Sequence, residues 1–154
     1  MESISISTDK NLLDLDLIYD FIGRQSYWAQ NIPFETLKRS IDNSLCFGVY
    51  DNGSQIGFAR VISDNATFAY LADVFIVPEY RGRGLSKMLV SYIISYSELQ
   101  GLRRWLLATA DAHGLYKQFG FTELSQPDNI MEIKNADVYK NAEVGDSAAN
   151  GTSE

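Results

Sequence analysis

The chain has 154 residues, 45% hydrophobic and 21% charged, with a formal net charge of -7 and a pI near 4.7. That is the make-up of one globular domain with a sizeable core. It excludes a membrane helix, because no apolar run approaches ~20 residues, and it argues against non-specific nucleic-acid binding.

Cys46 stands alone, so the sequence offers no disulfide framework and no cysteine metal site. Met1-Glu2-Ser3-Ile4 lacks the basic and apolar regions of a signal peptide. A cytoplasmic protein without a metal is expected.

Ser3 to Thr8 alternates Ser and Ile, the period of a half-buried strand. Asp14 is placed to cap a helix carrying Leu17, Ile18, Phe21 and Ile22 on one face. Gly23 to Ile32 reads as a loop, and Pro33 suits the first position of a second helix with Leu37 and Ile41 inward. Leu45 to Tyr50 reads as a strand, Asp51-Asn52-Gly53 as a tight turn, and Gln55 to Ser63 as the returning strand. Asp64-Asn65 turns the chain into a long strand from Thr67 to Val77.

From Leu85 the apolar positions Leu85, Met88, Leu89, Tyr92, Ile93 and Tyr96 draw the stripe of a helix packed on a sheet. Trp105 to Ala108 is a continuous apolar run, expected as a strand covered on both faces. Asp111 is expected to cap a short helix through Gln118, stopped by Gly120. Phe121–Leu124 and Ile130–Ile133 are expected as a last pair of strands around Pro127. Residues 1–139 are expected to form one domain, and 140–154, small, polar and acidic, a disordered tail.

The chemistry concentrates between Val74 and Lys87. An apolar run ends at Pro78, a turn rich in Gly and Arg follows, and a helix starts inside it. A helix N-terminus offers unpaired amides and a positive dipole end to an anion. Arg81, Arg83 and Lys87 add charge at the same place. A Walker loop does not fit, because Leu85 and Ser86 follow Gly84. The dinucleotide fingerprint fails at Lys87, where its third glycine belongs. Arg81-x-x-Gly84-x-Ser86 fits the pattern Arg/Gln-x-x-Gly-x-Gly/Ala, with Ser in the last place. About thirty residues on, Ala112-His113-Gly114-Leu115-Tyr116-Lys117-Gln118-Phe119-Gly120-Phe121 fits Ala-x-x-x-Tyr-x-x-x-Gly-Phe.

On these two motifs the chain resembles the GNAT N-acetyltransferase superfamily over residues 3 to 134. The resemblance implies a mixed α/β fold: a mostly antiparallel sheet flanked by helices, with the fourth and fifth strands splayed around the pantetheine arm of acetyl-coenzyme A. It implies a transferase that moves an acetyl group to an amine in a ternary complex. The backbone of Gly82 through Lys87, with Arg81, would hold the diphosphate. Phe75, Ile76 and Val77 would line the splay, with the amide of Phe75 or a neighbour on the thioester oxygen and Val77 pairing with the pantetheine amides. Thr109 stands where the family often has Asn, which leaves that contact to pantetheine open.

Tyr116 occupies the position of the family's general acid. A phenol ionises near ~10 and a free thiol near ~8.5, so the donor is loaded at neutral pH but the transfer is uphill by roughly 2 kcal/mol. Burial that raises the basicity of the leaving thiolate would reduce that cost. Asp73 lies in an apolar strand, on the face of Phe75 by period 2, and is the candidate base or acceptor contact. It competes with its own structural pairing. His113, the only histidine, and Asp111 are weaker alternatives, expected at solvent or as caps. Tyr27 and Trp28, in the loop between the first two helices, suit a substrate wall or simply cover a sheet edge. Cys46 reads as core.

A small-molecule amine is the expected acceptor. A longer acyl group, a non-catalytic module that senses acetyl-coenzyme A, and either a monomer or a homodimer all remain compatible with these residues.

Overall fold

The computed structural model describes residues 3–140. The chain divides into two compact units, one drawn from Met1–Asp14 and Ile41–Phe121, the other from Leu15–Ser40 and Thr122–Glu154.

The first unit is built on a five-stranded sheet whose spatial order follows the chain: β1 (Ile4–Ser7), β2 (Leu45–Asp51), β3 (Ser54–Ser63), β4 (Phe68–Ile76) and β5 (Arg104–Leu106). The first three pairings are antiparallel and β4 with β5 is parallel. The tight turn between β2 and β3 puts Asn52 at φ 51° and Gly53 at φ 88°. Two successive left-handed residues give the twist that a two-residue hairpin needs. Two helices belong to this unit, α3 (Leu85–Ile94) and α4 (His113–Lys117).

Alternation along the strands sends Phe47, Val49, Ala59, Val61, Ala69 and Leu71 into one cluster with Leu85, Leu89, Val90 and Ile93 of α3 and Tyr116 of α4. The stripe expected on α3 is therefore present at Leu85, Leu89 and Ile93. Tyr92 stays 39% exposed and Tyr96 lies past the helix end, yet both rings meet Phe47 edge-on at 6.0 and 5.1 Å.

The second unit holds α1 (Leu15–Asp20) and most of α2 (Phe34–Asp42). The loop expected from Gly23 begins later. Beyond Asp20 the chain keeps coiling through a π turn, Phe21–Gln25, where the Ser26 amide donates to Phe21 O at 2.9 Å. The Ser26 hydroxyl donates to Ile22 O at 2.7 Å and accepts from the Ala29 amide, so this buried polar group is satisfied within its own turn. The carbonyl of Pro33 accepts the first α2 bond, from Leu37. Leu37 and Ile41 are buried as expected.

Three expectations are corrected. Trp105–Ala108 was to be a strand covered on both faces. The strand is instead Arg104–Leu106, half-buried, because Thr67 O gathers the amides of both Arg103 and Arg104 and starts the pairing early. Asp111 does not cap α4: the Thr109 hydroxyl accepts the amides of Ala112 at 3.0 Å and Asp111 at 3.4 Å. Phe121–Leu124 and Ile130–Ile133 form no strands. A single 3-10 turn, Pro127–Asn129, interrupts irregular chain there. Gly120, at φ 95°, does stop the helix region as expected. The tail expected after residue 139 falls almost wholly outside the described residues.

Candidate active site

The parallel pairing of β4 with β5 is short. It joins Phe68–Tyr70 to Arg104–Leu106 and then ends, while β4 runs on to Ile76. Past Tyr70 the fourth strand thus keeps β3 on one side and has no β5 partner on the other. This is the splay expected from the sequence.

Within that free stretch β4 carries a bulge. Its register against β3 passes from Ala72 opposite Arg60 to Phe75 opposite Phe58, three residues against two. Asp73 sits in the bulge at φ 56°, left-handed for a non-glycine residue. Its Oδ2 accepts from Arg60 Nε at 2.9 Å, and Arg60 Nη1 donates to Ser44 Oγ at 3.0 Å. The two side chains are only 8% and 15% exposed. Asp73 thereby reaches the face that carries Phe58 and Phe75, whose rings lie 6.1 Å apart. Period 2 alone did not deliver it there. The bulge puts Ala72 and Phe75 on one face and leaves Asp73 between them.

Amide directions sharpen the thioester expectation. Val77 N–H donates back to Ile56 O on β3 at 2.9 Å, so it is not turned to the splay. Direction alternates along a strand, which aims Phe75 toward β3 as well. Ile76 points the other way, and its carbonyl accepts from Arg81 Nε at 3.0 Å. Of the residues expected to line the splay, Ile76 is therefore the one whose backbone faces the open edge.

After Ile76 comes a 3-10 turn, Pro78–Tyr80, and then the glycine turn into α3. Gly82 and Gly84 hold φ 80° and 79°, conformations that glycine adopts without a Cβ clash. A Cβ built at either would meet nothing within 4 Å, so the space before both is open. Gly84 is the N-cap of α3 and supplies no side-chain cap. The first intrahelical bond runs from Met88 N–H to Gly84 O, which leaves Leu85, Ser86 and Lys87 ahead of it with amides directed outward. A diphosphate fits this arrangement of open space, unfilled amides and cations.

The cations are partly fixed. Arg83 lies 4.5 Å over the Tyr80 ring and donates to Glu79 O at 3.3 Å. The Tyr80 hydroxyl donates to Asp51 Oδ2 at 2.6 Å, tying the turn to the β2–β3 hairpin. Hydrogen bonds from Ser3 and Tyr80 hold the Asp51 carboxyl below its ordinary range.

Tyr116 is 8% exposed on α4, with Phe121 edge-on to it at 5.9 Å. Leu115 and Phe119 pack on the same core. The Thr109 hydroxyl serves as acceptor in its own turn. His113 opens α4 and is exposed, as expected. Cys46 is buried, its thiol donates to Ile41 O at 3.5 Å, and burial pushes it up to about 11, a thiol rather than a nucleophilic thiolate at neutral pH. Tyr27 and Trp28 lie in the second unit, 58% and 41% exposed, with their rings edge-on at 5.0 Å. Among the described residues no cluster of His, Cys, Asp and Glu could hold a metal ion, and no helix is long and apolar enough to cross a membrane.

The residue that sequence reasoning missed is Arg60. A lone cation in the apolar run Ile56–Ile62 was the available signal. Its meaning depended on knowing that β3 and β4 pair, with Arg60 beside the bulge.

Comparison with known proteins points to one family. The family model for the acetyltransferase (GNAT) family matches residues 15–121. A Gibberella zeae protein with a provisional acetyltransferase name is 32% identical over 151 residues, covering 83% of this chain and 84% of that protein. A crystal structure from Xanthomonas campestris pv. campestris, provisionally an acetyltransferase of the GNAT family, aligns with a TM-score of 0.86 at 51% identity. That alignment covers 88% of this chain and 96% of the other. A provisional acetyltransferase from Clostridium acetobutylicum, solved with acetyl-CoA, shares the fold at a TM-score of 0.61 and 14% identity, covering 85% of this chain and 94% of its own.

Proposed function

This chain belongs to the acetyltransferase (GNAT) family and is an acyltransferase, and from that premise we propose that it moves an acetyl group from acetyl-coenzyme A to the primary amine of a small molecule, by direct attack in a ternary complex. One observation carries the reading: β4, parted from β5 beyond Tyr70, leads straight into a left-handed glycine turn and an uncapped helix. The parted edge admits an extended arm, and the helix end receives its diphosphate.

When bound, acetyl-coenzyme A supplies the acetyl group as a thioester. The chain supplies the rest. Amides of Gly82 through Lys87 hold the diphosphate, and Arg81, Arg83 and Lys87 add charge. Ile76, on the open edge of β4, offers an amide fixed in place before the reaction, the efficient form of electrostatic stabilisation. Tyr116, buried against Leu115, Phe119 and Phe121, gives its proton to the departing sulfur. Apolar surroundings favour the neutral thiol over the thiolate and so ease that transfer.

Asp73 is proposed to receive the amine proton, directly or through water, from a carboxylate that Arg60 holds in position. Cys46 stays outside the mechanism, consistent with attack by the amine itself.

The test is release of coenzyme A thiol from acetyl-coenzyme A across a panel of amines. Turnover on at least one small amine is expected. Binding of acetyl-coenzyme A without turnover on any acceptor would favour a sensing module instead. Asp73→Asn separates its two roles: loss of the acidic limb of the pH–rate profile marks the base, whereas a lowered Tm with an unchanged profile marks a structural pair.

A further inference from the structure

The glycine turn before α3 would be a loose receptor for an anion if nothing held it. Gly82 and Gly84 both stand at left-handed φ, and glycine has the most conformational freedom to lose. Two side chains just ahead of them tie the turn to different strands. Arg81 Nε donates to Ile76 O, at the end of β4, over 3.0 Å. Tyr80 reaches further: its hydroxyl donates at 2.6 Å to Asp51 Oδ2, at the end of β2 and 29 residues earlier. Asp51 is itself anchored. Its carboxyl also accepts from the Ser3 side chain, and the next amide, Asn52 N–H, donates to Ser3 O at 3.0 Å.

The Tyr80 ring packs half-buried against the core and carries the Arg83 guanidinium 4.5 Å from its centroid. Arg83 Nη2 donates to Glu79 O at 3.3 Å. Arg83 is exposed, and an unrestrained arginine has much rotamer entropy to lose when it grips an anion. A fixed ring beneath it removes part of that freedom beforehand. A chain of contacts thus runs from Ser3 through Asp51 and Tyr80 to a cation of the proposed diphosphate site. Asp51 brings a carboxylate toward Arg83, a liability beside an anion site unless its grip on Tyr80 outweighs it.

We propose that Tyr80 and Asp51 are positioning residues for coenzyme binding: the Asp51–Tyr80 hydrogen bond fixes the ring on which Arg83 rests, and so holds the glycine turn and its cation in the binding arrangement before the diphosphate arrives. The inference rests on the acetyl-coenzyme A reading of that turn. Both residues act through the turn, without a contact of their own to the coenzyme. Preorganisation of this kind raises affinity by lowering the cost of ordering.

Tyr80→Phe is the cleanest variant, because it removes one hydroxyl, changes no charge and keeps a ring under Arg83. In calorimetry it should bind acetyl-coenzyme A about fivefold more weakly than wild type. In steady state its KM for acetyl-coenzyme A should rise by a similar factor, with kcat and the KM for the amine kept within about twofold. Asp51→Ala removes the grip and a repulsive charge together, effects of opposite sign, so the pair is read from a double-mutant cycle. Tyr80→Phe should again cost about fivefold beside Asp51→Asn, whose amide oxygen still accepts, but less than about twofold beside Asp51→Ala. Arg83→Gln should weaken wild type more than it weakens Tyr80→Phe. A lowered Tm with coenzyme affinity within about twofold of wild type would make the pair structural alone and overturn the proposal. So would a full fivefold loss beside Asp51→Ala, about the size of that in wild type, or equal losses from Arg83→Gln in both backgrounds. A wild type that binds no acetyl-coenzyme A would instead sink the coenzyme reading itself, and this inference with it.

Discussion

Two turns flank β4, and they solve the same backbone problem in opposite ways. At its start, the Asp64 carboxylate accepts the amides of Ala66, Thr67 and Phe68 at 3.0, 2.8 and 3.2 Å and the Thr67 hydroxyl at 2.7 Å. At its end, the amides around Gly82–Lys87 meet no capping side chain, and the two glycines open onto empty space. The first turn contains its anion as part of the chain. The second is the one proposed to receive an anion from outside. Amides left at an exposed helix start, with cations beside them, make an anion-binding concavity. The difference therefore separates a structural turn from a proposed binding turn on the two ends of one strand.

The comparison can be broken most sharply at Gly84. Gly84→Val forces a β-branched residue to φ 79° and pushes methyl groups into the open space. Coenzyme affinity should fall by roughly a hundredfold, read by calorimetry. Affinity within about twofold of wild type would mean that this turn is no more a binding turn than the other.

Next in size is Tyr116→Phe. It should lower turnover about tenfold or more while leaving coenzyme affinity nearly unchanged, because the role proposed for the phenol is at the leaving sulfur and not at the diphosphate. Equal turnover in a steady-state assay would remove Tyr116 from the mechanism.

Asp64→Ala attacks the other turn and should do the reverse: Tm drops by several degrees, with coenzyme affinity kept. The amide and hydroxyl of Thr67, joined by the Ala66 and Phe68 amides, hold the Asp64 carboxyl well below the usual carboxylate range. A depressed carboxylate adds stability that is complete above the unfolded value, near ~4, and is lost as pH falls through the lower folded one. Wild type and Asp64→Ala should therefore differ in Tm at neutral pH and converge in strong acid. A difference independent of pH would contradict the internal-anion reading.

The smallest expected effect is chemical. The Cys46 thiol, raised to about 11 by burial, should resist alkylation in the native protein at mildly alkaline pH and react once unfolded. Rapid native labelling, followed by mass spectrometry, would contradict that burial.

Much of this molecule was legible before its coordinates. β1 to β4 and α3 announced themselves through period-2 and period-3.6 patterns, and the proposed binding turn through Gly82, Gly84 and their arginines. The bulge at Asp73 was not legible, because an extra residue in β4 shows only against the register of β3. For the same reason nothing in the sequence joined Arg60 to Asp73. Asp111 is the better capping residue by type, yet α4 has no side-chain cap, and the Thr109 hydroxyl instead closes the turn before it on the amides of Asp111 and Ala112. At Ile130–Ile133 the pattern of a strand was present, yet no strand forms there.

The most direct test follows individual backbone amides by NMR while coenzyme A is titrated into the folded protein. The amides of Gly82, Gly84, Leu85, Ser86 and Lys87 should shift and saturate together, while those of Ala66, Thr67 and Phe68, already bound to Asp64, stay where they are. Saturating shifts that spare the glycine turn, or no shifts at all at millimolar coenzyme, would contradict the account.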